Sequence, residues 1–220
     1  MVSESINMNI LTTFQVKFIR AFSKTSLKDA FFLTGGTALS EFYLQHRISD
    51  DLDFFTEEEG QITWILPIIE DIASELGGKI DINRNFRSYI EFFIIKENEF
   101  LRCDFAIDSP YRLNEKVFNN ELGIYIDNAI DISCNKLSAL FDRSEPKDFV
   151  DIYFIDKEII QFDRLVEKAK KKHIGLDNYW LAISLAKIDS FSVLPRMLKP
   201  LTIDELRCFF KEKSQWLMKQ

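Results

Sequence analysis

Cysteine is scarce in this chain. Only Cys103, Cys134 and Cys208 occur, an odd number with no CxxC spacing. That excludes a disulfide scaffold and a zinc finger, and predicts buried, reduced thiols. Glycine (7) and proline (5) are also few, which excludes collagen-like and low-complexity chains and favours long regular elements. The two histidines, His46 and His173, are isolated, with no HExxH around them, so no zinc site is expected. GxSxG is absent and no Cys–His pairing is evident, which argues against serine and cysteine hydrolases. No apolar run approaches the ~18 residues of a membrane span. The opening MVSESINMNI lacks a basic segment followed by an apolar one, so no signal peptide and a cytoplasmic location are expected.

What is abundant is phenylalanine, at 21 of 220 residues, within a chain that is 46% hydrophobic and 29% charged. This is the make-up of a globular protein with a large core. The net charge is −7, unevenly spread: residues 1–110 carry 10 basic and 18 acidic side chains, residues 111–220 carry 18 and 17. The one basic cluster, Lys168, Lys170, Lys171 and Lys172, reads as a solvated helix face.

Apolar spacing predicts a helix over 12–29, a strand at 31–34 ending in Gly-Gly, a helix over 38–46 and a strand at 51–55. A helix over 62–76 follows, with Pro67 kinking it or marking its start. Strands are predicted at 79–86, 88–96 and 99–107, the last two joined by a turn at Asn98. From about 128 the pattern is helical, punctuated by Pro146, Pro195 and Pro200. The expected architecture is α/β (α+β): a mixed sheet flanked by helices over 1–126, then a C-terminal helical bundle over 127–220.

Three segments carry chemistry. In Asp51-Leu52-Asp53, alternation along a strand puts both carboxylates on one face and Leu52 and Phe54 on the other. Two such charges repel unless a cation sits between them, and Mg²⁺ prefers hard oxygen ligands; the plain alternative is an exposed acidic strand end. Asp104 lies among apolar neighbours in FLRCDFAI. If that strand lies beside 51–55 it supplies a third carboxylate; otherwise it is a surface Asp on an alternating strand. Asp108, next to Ser109-Pro110, reads as a turn residue. Thr34-Gly35-Gly36-Thr37 joins a strand to a helix, as a phosphate-approaching loop or simply a tight turn. It is neither a Walker A loop nor GxGxxG.

Together the Gly-Gly turn, the DxD strand and the third Asp resemble the DNA polymerase β-like nucleotidyltransferase superfamily. The stretch LTGGTALSEFYLQHRISDDLDFF, with His46-Arg47, Ser49 and Asp51-Leu52-Asp53, is similar to the first motif of the AbiEii-type nucleotidyltransferase toxins. Lys136-Leu137-Ser138-Ala139-Leu140, Arg143, Lys147-Asp148 and Asp151 resemble that family's later motif. The matches cover about 33–55, 103–105 and 136–155.

The resemblance implies an enzyme that moves a nucleoside monophosphate from an NTP to a hydroxyl and releases pyrophosphate. Asp51, Asp53 and Asp104 would be the metal ligands and catalytic carboxylates, with Mg²⁺ or alternatively Mn²⁺. Gly35, Gly36 and Thr37 would hold phosphates, Lys136 and Arg143 would contact the nucleotide, and Lys136 and Asp148 would complete the catalytic set. By their sequence alone Lys136 could equally face solvent, and Arg143 with Asp148 could be an ordinary pair at a helix–helix turn. His46 is expected to pack or hydrogen-bond near the site rather than react. The implied setting is a toxin of a toxin–antitoxin or phage-defence pair, with tRNA as acceptor, an antitoxin as partner and no membrane. Alternatives are a protein or small-molecule acceptor, or a nucleotide-binding protein without turnover.

Overall fold

A computed structural model describes residues 10–108 and 111–220. The opening residues and the Ser109-Pro110 turn therefore lie outside the described residues. The chain forms two compact units. The first comprises Met1–Tyr43, Ser49–Asp108 and Phe118–Ile126; the second comprises Leu44–Ile48, Ser109–Val117 and Asp127–Gln220.

The first unit is built on strands β1 (Phe32–Thr34), β2 (Leu52–Thr56), β3 (Lys79–Phe86), β4 (Tyr89–Lys96), β5 (Glu99–Ile107), β6 (Val117–Asn119) and β7 (Ile124–Ile126). They make one mixed sheet in the order β3-β4-β5-β2-β1-β7-β6. β2 runs parallel to β5 and antiparallel to β1, and β1 runs parallel to β7. The pairs β6 and β7 escape sequence reading because three residues are too few to show alternation.

One sheet face carries the phenylalanines. Phe54, Phe92 and Phe105 lie fully buried against Phe18 and Phe22 of helix α1 (Thr13–Phe22). Phe54 and Phe105 stack with ring centres 4.9 Å apart. Such pairs add about 0.5–1.5 kcal/mol each beyond their buried area. Helix α1 begins on a Thr12–Gln15 capping box and stops well short of residue 29. The Ser23 and Thr25 hydroxyls donate back to the Arg20 and Phe22 carbonyls, which favours turn over helix there. Helix α2 (Gly35–Leu39) starts at the first glycine and widens into a π turn over Ser40–Leu44. Pro67 stands in the first turn of α3 (Ile65–Glu75), so it marks the helix start and does not kink it.

The second unit is helical: α4 (Ala129–Arg143), α5 (Pro146–Glu158), α6 (Phe162–Lys172), α7 (Asn178–Ala186) and α8 (Ile203–Leu217). Asn128, Asp177 and Thr202 cap α4, α7 and α8, and Pro146 takes the first position of α5. Leu137, Leu140, Phe149, Ile152, Leu165 and Phe210 form its core.

Two expectations are corrected. Lys172 does not sit on a solvated face: its ammonium is fully buried, 2.8 Å from Asp131. The last turn of α6 points it inward, three residues after buried Ala169. Cys208 is exposed on α8, while Cys103 and Cys134 are buried as expected.

Candidate active site

The acidic face of the sheet is the one opposite the phenylalanines. On β2, Leu52, Phe54 and Thr56 point into the core and Asp53 and Phe55 point away. Across the sheet, Asp53 is the direct partner of Asp104 on β5, and Asp104 is the direct partner of Glu91 on β4. A row of three carboxylates therefore crosses three strands. Asp51 precedes β2 on the same face as Asp53.

Gly35 completes this corner. Its φ is +72°, and a Cβ there would lie 1.9 Å from Asp53 Oδ2. Only glycine fits against that carboxylate. Thr37 is buried, and its hydroxyl donates to the Asp51 backbone carbonyl. Gln15 of α1 donates to the Asp50 carbonyl at 2.7 Å. The approach to β2 is thus pinned from two sides. Gly36 is buried in the first turn of α2.

Asp104 is a perturbed acid. Burial pushes its pKa up to about 6, opposed by the Tyr89 hydroxyl, which donates to Oδ1 at 2.7 Å, and reinforced by Asp53. Arg102, two residues earlier on the same face, lies 3.1 Å from Asp104 Oδ2, 3.6 Å from Asp51 Oδ2 and 3.1 Å from Glu91 Oε1. Burial works against its charge, but the three carboxylates together raise its pKa. Burial pushes the Cys103 thiol well up, with the nearby acids adding to it, so it is no nucleophile.

Carboxylates are the ligand type that a hard divalent cation prefers, but among the described residues no group of three or more is placed to hold a metal ion, and the Asp53 carboxylate fills the space beside Gly35. Such an ion would offset the like-charge crowding that raises Asp104. Glu91, Arg102 and Tyr89 were not foreseen from sequence. Glu91 carried the same signal as Asp104, an acid flanked by apolar residues in a strand.

The second unit holds a separate charged cluster. Asp151 of α5 is fully buried and accepts from Arg47 Nε at 2.7 Å, Arg47 Nη2 at 2.9 Å and His46 Nε2 at 2.7 Å. Lys136 Nζ lies 2.9 Å from its Oδ2. Burial alone would raise the Asp151 pKa, yet Lys136, Arg47 and His46 hold it well below the carboxylate range. Lys136 thus faces a buried counter-charge and not solvent. Arg143 and Asp148 pair with each other instead, at 2.8 and 2.9 Å, and Asp148 also accepts from the Glu145 amide at the start of α5.

His46 is held neutral in this cluster. Burial lowers its pKa, outweighing the upward pull of Asp151. With Nε2–H on Asp151, its Nδ1 has no hydrogen-bond partner, so a second proton would be a buried orphan donor. The unfolded chain takes up that proton near pH ~6.5 and the folded one resists it. Stability is therefore complete above that pH and falls as pH drops below it. Denaturant melts from pH 7.5 to 5.5 should show the wild type losing up to about 1 kcal/mol per pH unit more than His46→Gln. Parallel pH profiles would show that His46 is charged in the fold.

A mixed sheet that carries a DxD strand parallel to a strand with a third acid, entered by a Gly-Gly turn, has the nucleotidyltransferase fold. A candidate nucleotidyltransferase of Helicobacter pylori has a similar structure, with a TM-score of 0.60 over 92% of this chain and 91% of its own, at 18% identity. MenT4, the nucleotidyltransferase toxin Rv2826c of Mycobacterium tuberculosis H37Rv, is similar with a TM-score of 0.53 over 94% and 82%, at 11% identity. An uncharacterised Aquifex aeolicus (strain VF5) protein, aq_aa25, is 31% identical over 188 residues, covering 83% of this chain and 85% of that one. The family model described as nucleotidyl transferase AbiEii toxin, type IV toxin–antitoxin system, matches residues 17–213, and the chain belongs to that family. It is a nucleotidyltransferase that uses a nucleoside triphosphate.

Proposed function

We propose that this nucleotidyltransferase transfers a nucleoside monophosphate to the 3′ hydroxyl of tRNA in a Mg²⁺-dependent reaction, and that an antitoxin restrains it in the cytoplasm. The observation that carries the reaction type is the register of Asp53 against Asp104, with Gly35 closed on Asp53. Asp51, Asp53 and Asp104 would hold the metal. When bound, it neutralises phosphate oxygens and helps align the attacking hydroxyl.

The chain's own residues have distinct tasks in this reading. Gly35 and Gly36 allow close approach of a phosphate to the backbone. Thr37 fixes the DxD approach through the Asp51 carbonyl and so acts by positioning. Asp104 would help to place the acceptor hydroxyl and take its proton. Lys136 is assigned to the triphosphate. Asp151 holds its ammonium in place. Arg143 and Asp148 brace the α4–α5 turn, and any nucleotide contact would come from the half-exposed Arg143.

Purified protein incubated with bacterial tRNA, Mg²⁺ and each α-³²P-labelled NTP in turn should label the tRNA with one nucleotide class. Asp51→Ala should show no label. Labelling of protein or a small molecule in place of tRNA would move the acceptor, and labelling by folded Asp51→Ala would overturn the site.

A further inference from the structure

Four carboxylates crowd the acidic sheet face, and one guanidinium serves three of them. Arg102 spans Asp51, Asp104 and Glu91 at 3.6, 3.1 and 3.1 Å. It grips none of them as a fork: its Nε has no aligned hydrogen bond although Glu91 is close. A guanidinium paired with a single carboxylate would normally make two parallel hydrogen bonds. Both oxygens of Asp104 are engaged by protein groups, Oδ1 by Tyr89 and Oδ2 by Arg102. A cation that takes Asp51 and Asp104 as ligands competes with Arg102 for those carboxylates.

Glu91 is built to receive it. The β3–β4 pairing shifts register between Ile82 and Arg84. This bulge brings Asn83 to 3.0 Å and Arg84 to 3.3 Å from Glu91 Oε2. One carboxylate oxygen is thus fixed from outside the row, while Oε1 remains directed at Arg102. Glu91 is buried, whereas Arg102 is about a third exposed on a long stem that can swing. Arginine keeps its charge throughout, so it can leave only by moving.

We infer that Arg102 is a resident cation of the metal-free site, bridging Asp51 and Asp104, and that a divalent ion displaces it onto Glu91. This rests on the metal reading proposed above. Arg102 then sets how much free divalent ion the enzyme needs, because metal binding must break its two ion pairs. In the metal-free protein it relieves the repulsion among the acids.

The test is direct Mn²⁺ binding, followed by the electron paramagnetic resonance signal of free Mn²⁺, with no nucleotide present. Arg102→Met should bind Mn²⁺ at least about tenfold more tightly than wild type, and its metal-free melting temperature should be lower. Arg102→Lys keeps the charge but reaches only one carboxylate, so its affinity should lie between the two; it also carries the test if Arg102→Met does not fold. Unchanged or weaker binding in these variants, with binding still lost in Asp51→Ala, overturns the Arg102 role and leaves the metal site standing. Arg102→Lys binding like wild type while Arg102→Met tightens would mean charge alone matters, and also overturns displacement. Binding that Asp51→Ala does not weaken overturns the metal reading itself.

Discussion

Asp53→Ala is expected to reduce nucleotide transfer by at least about a thousandfold, at or beyond the 10²–10³ that one lost electrostatic donor costs an enzyme. Asp53 is the hinge of the proposed site: its Cα is in register with Asp104 on one side and with Thr34 on the other, and its carboxylate fills the space against Gly35. Removing it takes away a metal ligand and opens a gap where a phosphate would otherwise be steered. The fold should survive, because Asp53 points away from the Phe54–Phe105 stack that binds β2 to β5. Truncation also lifts one of the charges that raise the Asp104 pKa, so metal-free stability should hold or rise. Label transfer to acceptor, read beside a thermal melt, checks this. A folded Asp53→Ala protein with transfer within tenfold of wild type would refute the assignment.

Asp151→Ala should do the opposite: lose stability first. The change takes the buried carboxylate away from Arg47 and Lys136, 4% and 9% exposed, beside buried His46. Breaking a buried ion pair from one side costs about 3–5 kcal/mol. For a chain of this size that corresponds to a fall in melting temperature of about 6–20 °C. Asp148→Ala is the internal comparison. Its partner Arg143 is 45% exposed and can return to water, so the loss should be smaller. Urea titration of both variants checks the order. Equal losses, or an Asp151→Ala loss below about 1 kcal/mol, would show that the cluster is not held by this carboxylate.

The two variants separate roles that sequence could not. Asp148 and Asp151 stand three residues apart on one helix, both fully buried and both within the motif. Which of them meets Lys136 depends on how α4 lies against α5, a matter of packing and not of spacing. The structure pairs Lys136 with Asp151 and Arg143 with Asp148.

The sequence by itself determined the family, the order of most elements and the chemistry of the first motif. Those are local properties. Strict alternation put Leu52 and Phe54 inward and the DxD carboxylates outward, and the Gly-Gly turn could be read because a positive φ beside a crowded carboxylate leaves no alternative to glycine. Helix starts were legible from Pro146 for the same reason. Tertiary structure decided what depends on partners distant in the chain. Only the parallel pairing of β2 with β5 puts Asp104 beside Asp53, and only the antiparallel pairing of β4 adds Glu91 to the row and places Arg102 among the acids. His46 and Arg47 reach Asp151 across about a hundred residues of chain, and Lys172 leaves its basic run to meet Asp131. A buried charge is stabilised by whichever opposite charge the fold brings to it, and that choice is made when elements pack, not when they form.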